Sequence, residues 1–252
     1  MKQDSKNEKV FFDRFNQSRG YDVLTSFGYH SIIENFKKYS GGRLKGARII
    51  DLGCGTGAFT RRLASHVQSK FFGVDISLKA IQIARDKNDG IQYWVADLAQ
   101  LGIKGESFDV VVFSGVLHHF PDMKPCLAEG YRILKPGGCL LSFDPHLNNP
   151  FMWFYRHRSS PFYSKCGKTD NEALLSIDQM KKVLAEVGFS MIDVHPISGV
   201  TFKYVQSRIG RFFLPFYNIF EFLLGISSCA QTMGSFLVCY GVKQNRGAAL
   251  ES

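Results

Sequence analysis

No stretch of this 252-residue chain offers the ~18–20 uninterrupted apolar residues that a membrane-spanning helix requires. The nearest approach, FFLPFYNIFEFLLGI at 212–226, is too short and is broken by Pro215, Asn218 and Glu221. The opening residues, MKQDSKNEKV, are polar and lack the apolar core of a secretory leader. The six cysteines, at 54, 126, 139, 166, 229 and 239, form no CxxC pair and no Cys/His cluster of zinc spacing. Reduced thiols in the cytoplasm are therefore the expectation. A long basic run is also missing, so the net charge of +9 is read as a dispersed surface and no nucleic-acid partner is expected. Internal repeats are absent.

What the chain does have is a regular rhythm between 47 and 144. ARIIDLG (47–53), FFGVDIS (71–77), IQYWVAD (91–97), FDVVVFS (108–114) and CLLSFDP (139–145) are short apolar runs, as strands buried on both faces should be. Between them, AFTRRLASHV places Phe59, Leu63 and Val67 four apart, and LKAIQIARDK places Leu78, Ile81 and Ala84 on one helical face. CLAEGYRILKPGG reads as a helix closed by a Pro-Gly-Gly turn. Strands alternating with helices predict a doubly wound parallel sheet. Beyond it, 150–171 is aromatic, basic and irregular. SIDQMKKVLAEVG reads as a helix with Ser176 as N-cap, Gln179 three residues on and Gly188 past its end. FSMIDVHPI (189–197) and GSFLVCYGVK (234–243) complete the strands, and YHSIIENFKKY (29–39) predicts a helix before the sheet.

The chemistry is concentrated in DLGCGTG at 51–57, where a strand ends on an acid and three glycines follow. A bare turn lets the backbone approach a ligand, and the helix beyond it points unpaired N–H groups the same way. Residues 53–58 fit the GxGxx[G/A] pattern of dinucleotide sites, but that pattern alone is weak. Asp51 changes the balance. A carboxylate there is awkward beside a pyrophosphate and well suited to a ligand with an amino group and a sulfonium. Asp75, ending the second strand, is placed to accept both hydroxyls of a ribose.

DLGCGTG, GVDIS, ADL at 96–98, FDVVVFSGVLHHF and LKPGGCLL follow one another at sensible spacing. Over about 45–145 the chain resembles the class I S-adenosylmethionine-dependent methyltransferases of the broad small-molecule type, with a fainter likeness over 176–243. The resemblance implies an α/β fold: a Rossmann-like, doubly wound, mostly parallel seven-stranded sheet with an antiparallel last strand. It implies an N-terminal helical lid over 1–45 and a methyltransferase domain over 46–252, with an aromatic cap insert at about 199–233. The implied cofactor is S-adenosyl-L-methionine, held by Asp51, Gly53, Cys54, Gly55, Gly57, Asp75, Ile76, Ala96, Asp97, Leu98, Ser114 and Gly115. Asp51 and the glycines would take the methionine portion, Asp75 the ribose, Ile76 the adenine face and Asp97 the adenine amino group. Two alternatives stay open: an NAD(P)-dependent oxidoreductase using the same glycine turn, and a non-catalytic S-adenosylmethionine-binding protein.

An oxygen or nitrogen acceptor can also need a base. The candidates are His118 and His119 after the fourth strand and Asp144 and His146 after the fifth, with His146 set slightly ahead. Relatives that methylate quinone precursors carry an acid where this chain has His118, and a divalent metal is associated with it; no metal is expected here. The Phe-rich tail leaves three readings open. It caps a pocket for a small or lipid-like hydrophobic acceptor, or it meets a membrane through 150–165 and 200–226, or it is core and subunit contact. In the membrane reading Arg156, Arg158, Arg208 and Arg211 face phosphates.

Overall fold

The computed structural model describes residues 5–18, 22–163, 169, 171–205, 207–227 and 229–245. Two helices, α1 (Ser5–Ser18) and α2 (Ser26–Ser40), precede the sheet. Then come β1 (Arg48–Leu52), α3 (Ala58–His66), β2 (Lys70–Asp75), α4 (Leu78–Arg85), β3 (Gln92–Val95) and β4 (Phe108–Ser114). α5 (Lys124–Ile133), β5 (Leu134–Pro145), α6 (Pro150–Arg156), α7 (Ile177–Val187) and β6 (Phe189–Ile197) follow. The chain closes with α8 (Arg208–Gly225), α9 (Ala230–Met233) and β7 (Phe236–Lys243). The strands form one sheet in the order β3-β2-β1-β4-β5-β7-β6. β7 runs antiparallel to both neighbours, and the other pairings are parallel. This is the expected Rossmann-like architecture.

Local chemistry explains most boundaries. Ser77 starts α4 by accepting the Ala80 N–H (3.1 Å), and Ser176 starts α7 by accepting from Gln179 (3.2 Å). Gly188 ends α7 at φ +108, where a side chain would be strained. Ile49, Ile50, Val110, Val111 and Leu141 are buried because helices cover both faces of the sheet. α2 does more than cover: Ile32, Ile33 and Phe36 are fully buried in the same cluster as Phe59, Leu63 and Phe143. Burying one such side chain is worth about 1.5–3 kcal/mol.

Two expectations are corrected. α5 stops at Ile133, ahead of the Pro-Gly-Gly, which lies inside β5 as a bulge between the Phe108–Leu134 and Val110–Cys139 pairs. Leu134 already pairs with β4, and the Lys243 ammonium takes the carbonyls of Tyr131 (2.9 Å) and Leu134 (2.8 Å) at that junction. The stretch expected to be irregular at 150–171 begins with a helix, α6, capped by Asn149, whose side chain accepts from Met152 (2.9 Å). Five cysteines are free thiols; Cys166 lies outside the described residues.

The aromatic insert is organised around one buried acid. Glu221 of α8 accepts from Asn149 Nδ2 (3.1 Å), the Gly199 N–H (3.1 Å) and Ser235 Oγ (2.7 Å). It thereby ties α8 to the ends of β5, β6 and β7 at once. Burial raises this carboxyl from its usual 4.5 to about 7, against the opposing pull of its donors. The folded state therefore holds the proton more tightly than the unfolded chain. Stability from this group is full below about pH 4.5 and declines through pH 7, by up to about 3 kcal/mol. Glu221→Gln, which cannot ionise, is expected to lack this decline. In urea unfolding the wild-type advantage over the variant should shrink between pH 5 and pH 8, and a constant gap would contradict the assignment.

Candidate active site

The parallel strands all end at one edge of the sheet, and the chain reverses direction of travel between β1 and β4, which is where ligands bind in open α/β sheets. A cavity of about 240 Å³ opens there. Its walls include Gly53, Cys54, Gly55, Thr56, Asp75, Ile76, Asp97, Leu98, Ser114 and Gly115. So ten residues from four separate loops meet around one space, and nine of them are among the residues expected to hold the cofactor. Gly57 and Ala96 do not line it; Gly57 instead begins α3.

Asp51 lies just beneath this wall and is almost fully buried. Its Oδ2 accepts from Thr60 Oγ1 at 2.6 Å, while Oδ1 has no hydrogen-bond partner among the described residues. Burial pushes its carboxyl up to about 6, eased by Thr60 and Ser114 and aggravated by the Asp75 charge. Asp75 accepts the Gly55 N–H (2.8 Å) and the Ser77 N–H (2.9 Å), which fixes its carboxylate at the cavity rim. Asp97 is held by the Ala99 N–H (2.9 Å). The glycines have a reason beyond ligand approach. Gly53 and Gly57 sit at φ +80 and +73, and a Cβ on them would fall 2.5 Å from Val116 and 2.6 Å from the Tyr93 hydroxyl. The protein's own packing demands their bareness.

A second polar group stands at the far side of the cavity. His118 and His119 lie in a 3-10 turn at Leu117–His119. His118 Nδ1 donates to Asp144 Oδ1 at 2.8 Å, and the His118 backbone N–H reaches the same oxygen at 3.1 Å. That arrangement sets the tautomer and leaves Nε2 as the acceptor. Burial, His119 and Arg156 hold His118 well below the usual imidazole range, so it is neutral near pH 7. His119 stacks beside it, ring centroids 4.1 Å apart, and is pushed down to about 3 by burial and Arg156.

No pattern of residues pointed to Glu172. The Ala173 N–H donates to the His118 carbonyl and the Leu175 N–H to Pro145, which lays this segment along the end of β5. Glu172 pairs there with Arg156 of α6, whose Nη2 is 3.5 Å from His118 Nε2. Arg156, which one of the three readings of the aromatic tail set against membrane phosphates, lines the cavity. His118, His119 and Glu172 bring ligand atoms within 4.8 Å of one another, a grouping that could hold a metal ion. In this arrangement the Arg156 guanidinium already occupies the Glu172 carboxylate. His146, set ahead as base, does not line the cavity. It is fully buried with Nδ1 bonded to the Gly234 carbonyl at 2.8 Å, because the β5–β7 pairing carries it into the core.

A methyltransferase-domain family profile matches residues 50–142, spanning the glycine turn, both acids and the histidine pair. The chain is 36% identical over 152 residues to the ubiquinone/menaquinone biosynthesis C-methyltransferase UbiE of Wigglesworthia glossinidia brevipalpis, covering 56% of this chain and 61% of that protein. Residues 50–142 are thus a methyltransferase domain, set in the fold of the class I S-adenosylmethionine-dependent methyltransferases. Against UbiE of Pasteurella multocida the methyltransferase is 27% identical over 221 residues, covering 77% of this chain and 82% of the other. Two solved structures share its fold. One is a methyltransferase of Thermotoga maritima described as a possible histamine N-methyltransferase, with TM-score 0.61 and 22% identity, covering 95% and 96% of the two chains. The other is Haemonchus contortus phosphoethanolamine N-methyltransferase 2, with TM-score 0.63 and 20% identity, covering 94% of this chain and 57% of that one. The family's cofactor is S-adenosyl-L-methionine, and the donor set fits it: a buried acid with an unpartnered oxygen, a second acid at the rim and an apolar slot between.

The raised Asp51 carboxyl gives cofactor binding a pH dependence with a definite sign. Below about pH 6 the acid takes up a proton and a cationic ligand loses its partner, so affinity falls by up to about tenfold per pH unit. Titration calorimetry with S-adenosylmethionine should show this fall in the wild type. Asp51→Asn should bind at least about tenfold more weakly at pH 7.5 and change little between pH 7.5 and pH 5. A variant that keeps both the wild-type affinity and its pH slope would remove Asp51 from the site.

Proposed function

We propose that this enzyme transfers a methyl group from S-adenosyl-L-methionine to a hydrophobic small molecule bearing an ionisable hydroxyl, with His118 as general base oriented by Asp144. One observation carries the reading: a neutral imidazole, pinned through Nδ1 by a buried carboxylate, stands in the wall of the cavity that also holds the cofactor-type residues. The cofactor supplies a methyl group already activated on a sulfonium. Asp51 and the turn at 53–57 would hold its methionine portion, Asp75 its ribose, and Ile76, Asp97 and Leu98 its adenine. The chain's remaining task is to place the acceptor and take its proton. Holding two reactants in line can be worth roughly 7–11 kcal/mol of barrier. His118 Nε2 is the group able to accept the proton, and Phe12, Phe120, Phe143, Phe202 and Phe236 line the same cavity, excluding water. The relatives, C-methyltransferases of quinone biosynthesis, support an apolar acceptor.

His118→Gln and Asp144→Asn are each expected to lower kcat by about 10²–10⁴ while leaving S-adenosylmethionine affinity within about twofold, since neither touches the residues assigned to the cofactor. The assay is methyl transfer to a panel of phenols and hydroquinones, with calorimetry beside it. Full activity in His118→Gln would dismiss this histidine as the base.

A second reading concerns location, and α8 favours it. Ile209, Phe212, Phe216, Ile219, Phe222, Leu223 and Ile226 are all exposed. Apart from the adjacent Phe222 and Leu223 they recur at intervals of three and four, so they form one apolar stripe along the helix. Arg208 and Arg211 flank its first turn, and no helix among the described residues is long and apolar enough to cross a membrane. These features support peripheral contact with an anionic leaflet, the rings dipping below headgroups that meet the arginines. Wild type should co-sediment with anionic vesicles, and Phe212→Ser with Phe216→Ser should remain in the supernatant. Equal partition of the two proteins would end this reading.

A further inference from the structure

A second, smaller cavity of about 70 Å³ lies between α6 and α8. Phe151, Met152 and Phe154 form one wall, and Ile209, Phe213 and Leu214 the other. It shares Tyr155, Arg156, Phe202 and Val205 with the larger cavity, so the two spaces meet across four residues beside the His118 site. At the opposite end Ile209 is 53% exposed and Phe162, which also lines it, 43% exposed. A continuous apolar wall therefore leads from the reacting end to the surface, emerging beside the exposed stripe of α8.

Its chemistry restricts what it can hold. Among the described residues Arg156 is its one charged lining residue, and that charge is paired with Glu172. Tyr217 turns its hydroxyl away to the Val200 carbonyl at 2.8 Å and offers the slot its ring. A sugar or peptide would find too few partners for its polar groups. Size excludes another class. A dry cavity of roughly 150 Å³ suits a benzene ring, so at about 70 Å³ the slot takes no second ring system and holds only a few methylenes of a single chain, a longer tail running out past Ile209 and Phe162 to the surface. Its walls are braced rather than loose: Phe151 packs on Tyr217 (5.9 Å) and Phe220 (4.9 Å), and Phe154 on Phe213 (5.8 Å).

We propose that the crevice between α6 and α8 binds the hydrocarbon tail, prenyl or alkyl, of an amphiphilic methyl acceptor whose reacting ring lies beside His118. This rests on the proposed methyltransferase reading and deepens it: the acceptor is a tailed molecule, and Arg156 marks the boundary between its head and its tail.

The test is titration calorimetry in the presence of S-adenosylhomocysteine, with hydroquinone and its geranyl, farnesyl and n-decyl derivatives as probes. The tailed probes should bind at least about tenfold tighter than hydroquinone, since each buried methylene contributes, with the prenyl and decyl arms showing which chain fits better. Leu214→Trp, which fills the slot, should abolish that gain and leave hydroquinone unchanged. Ile209→Trp, at an exposed mouth position where folding is not at stake, should reduce it several-fold. Affinity independent of the tail overturns the proposal. So does a tail-dependent gain that survives both substitutions, because the chain then lies elsewhere. S-adenosylhomocysteine binding, measured in every variant, separates these results from failure of the methyltransferase reading itself.

Discussion

The arrangement depends on a carboxylate in an unfavourable place. Asp51 closes β1 beneath a turn of glycines, buried, with one oxygen held by Thr60 and the other without a partner. Leaving a buried charge half-satisfied is costly, and a second acid, Asp75, stands close enough to add to the strain. A protein keeps such a group where a ligand repays it. An adenosyl sulfonium with an amino group answers both acids at once, whereas a pyrophosphate would add negative charge to negative charge. The carboxylate proposed to select the cofactor is thus also an electrostatically strained group of the site.

The rest of the edge is built to hold that turn. Val116, at the start of the 3-10 turn after β4, fills the space where a Gly53 side chain would be. Two residues further on, that turn delivers His118 to Asp144 at the end of β5. The walls proposed for the cofactor and for the base are therefore parts of one packed unit, and a change at Val116 would disturb both. Burial and the positively charged Arg156 keep the histidines neutral, and Glu172 pairs with Arg156.

Much of this was legible in the residues. Short apolar runs marked the strands of the parallel sheet, because strands buried on both faces must be Ile-, Val- and Phe-rich, and β4 and β6 fell at their expected bounds. The glycine turn and its acids were legible because charge and bareness are chemical signals carried by single residues. Partnership was not. Nothing in 169–175 hints that Glu172 reaches a cavity, since that depends on the segment lying along β5. His146 looked like a base in FDPH, but the pairing with β7 buries it. Arg156 looked superficial because α6 was not foreseen: a seven-residue helix opened by Asn149 and Pro150 has too few turns to show a period.

The insert before β7 shows how one acid can organise an otherwise greasy segment. Glu221 interrupts the apolar run that would make α8 a candidate span and turns that same interruption into three hydrogen bonds. The helix is left with one face on the protein and one outward. Everything functional still returns to β1 and its acid. A crystal structure of the complex with S-adenosylmethionine tests that most directly. The account predicts the ligand's amino group on Asp51 Oδ1 and its ribose hydroxyls on Asp75. A ligand seated elsewhere, or one whose cationic end lies away from both carboxylates, would contradict it.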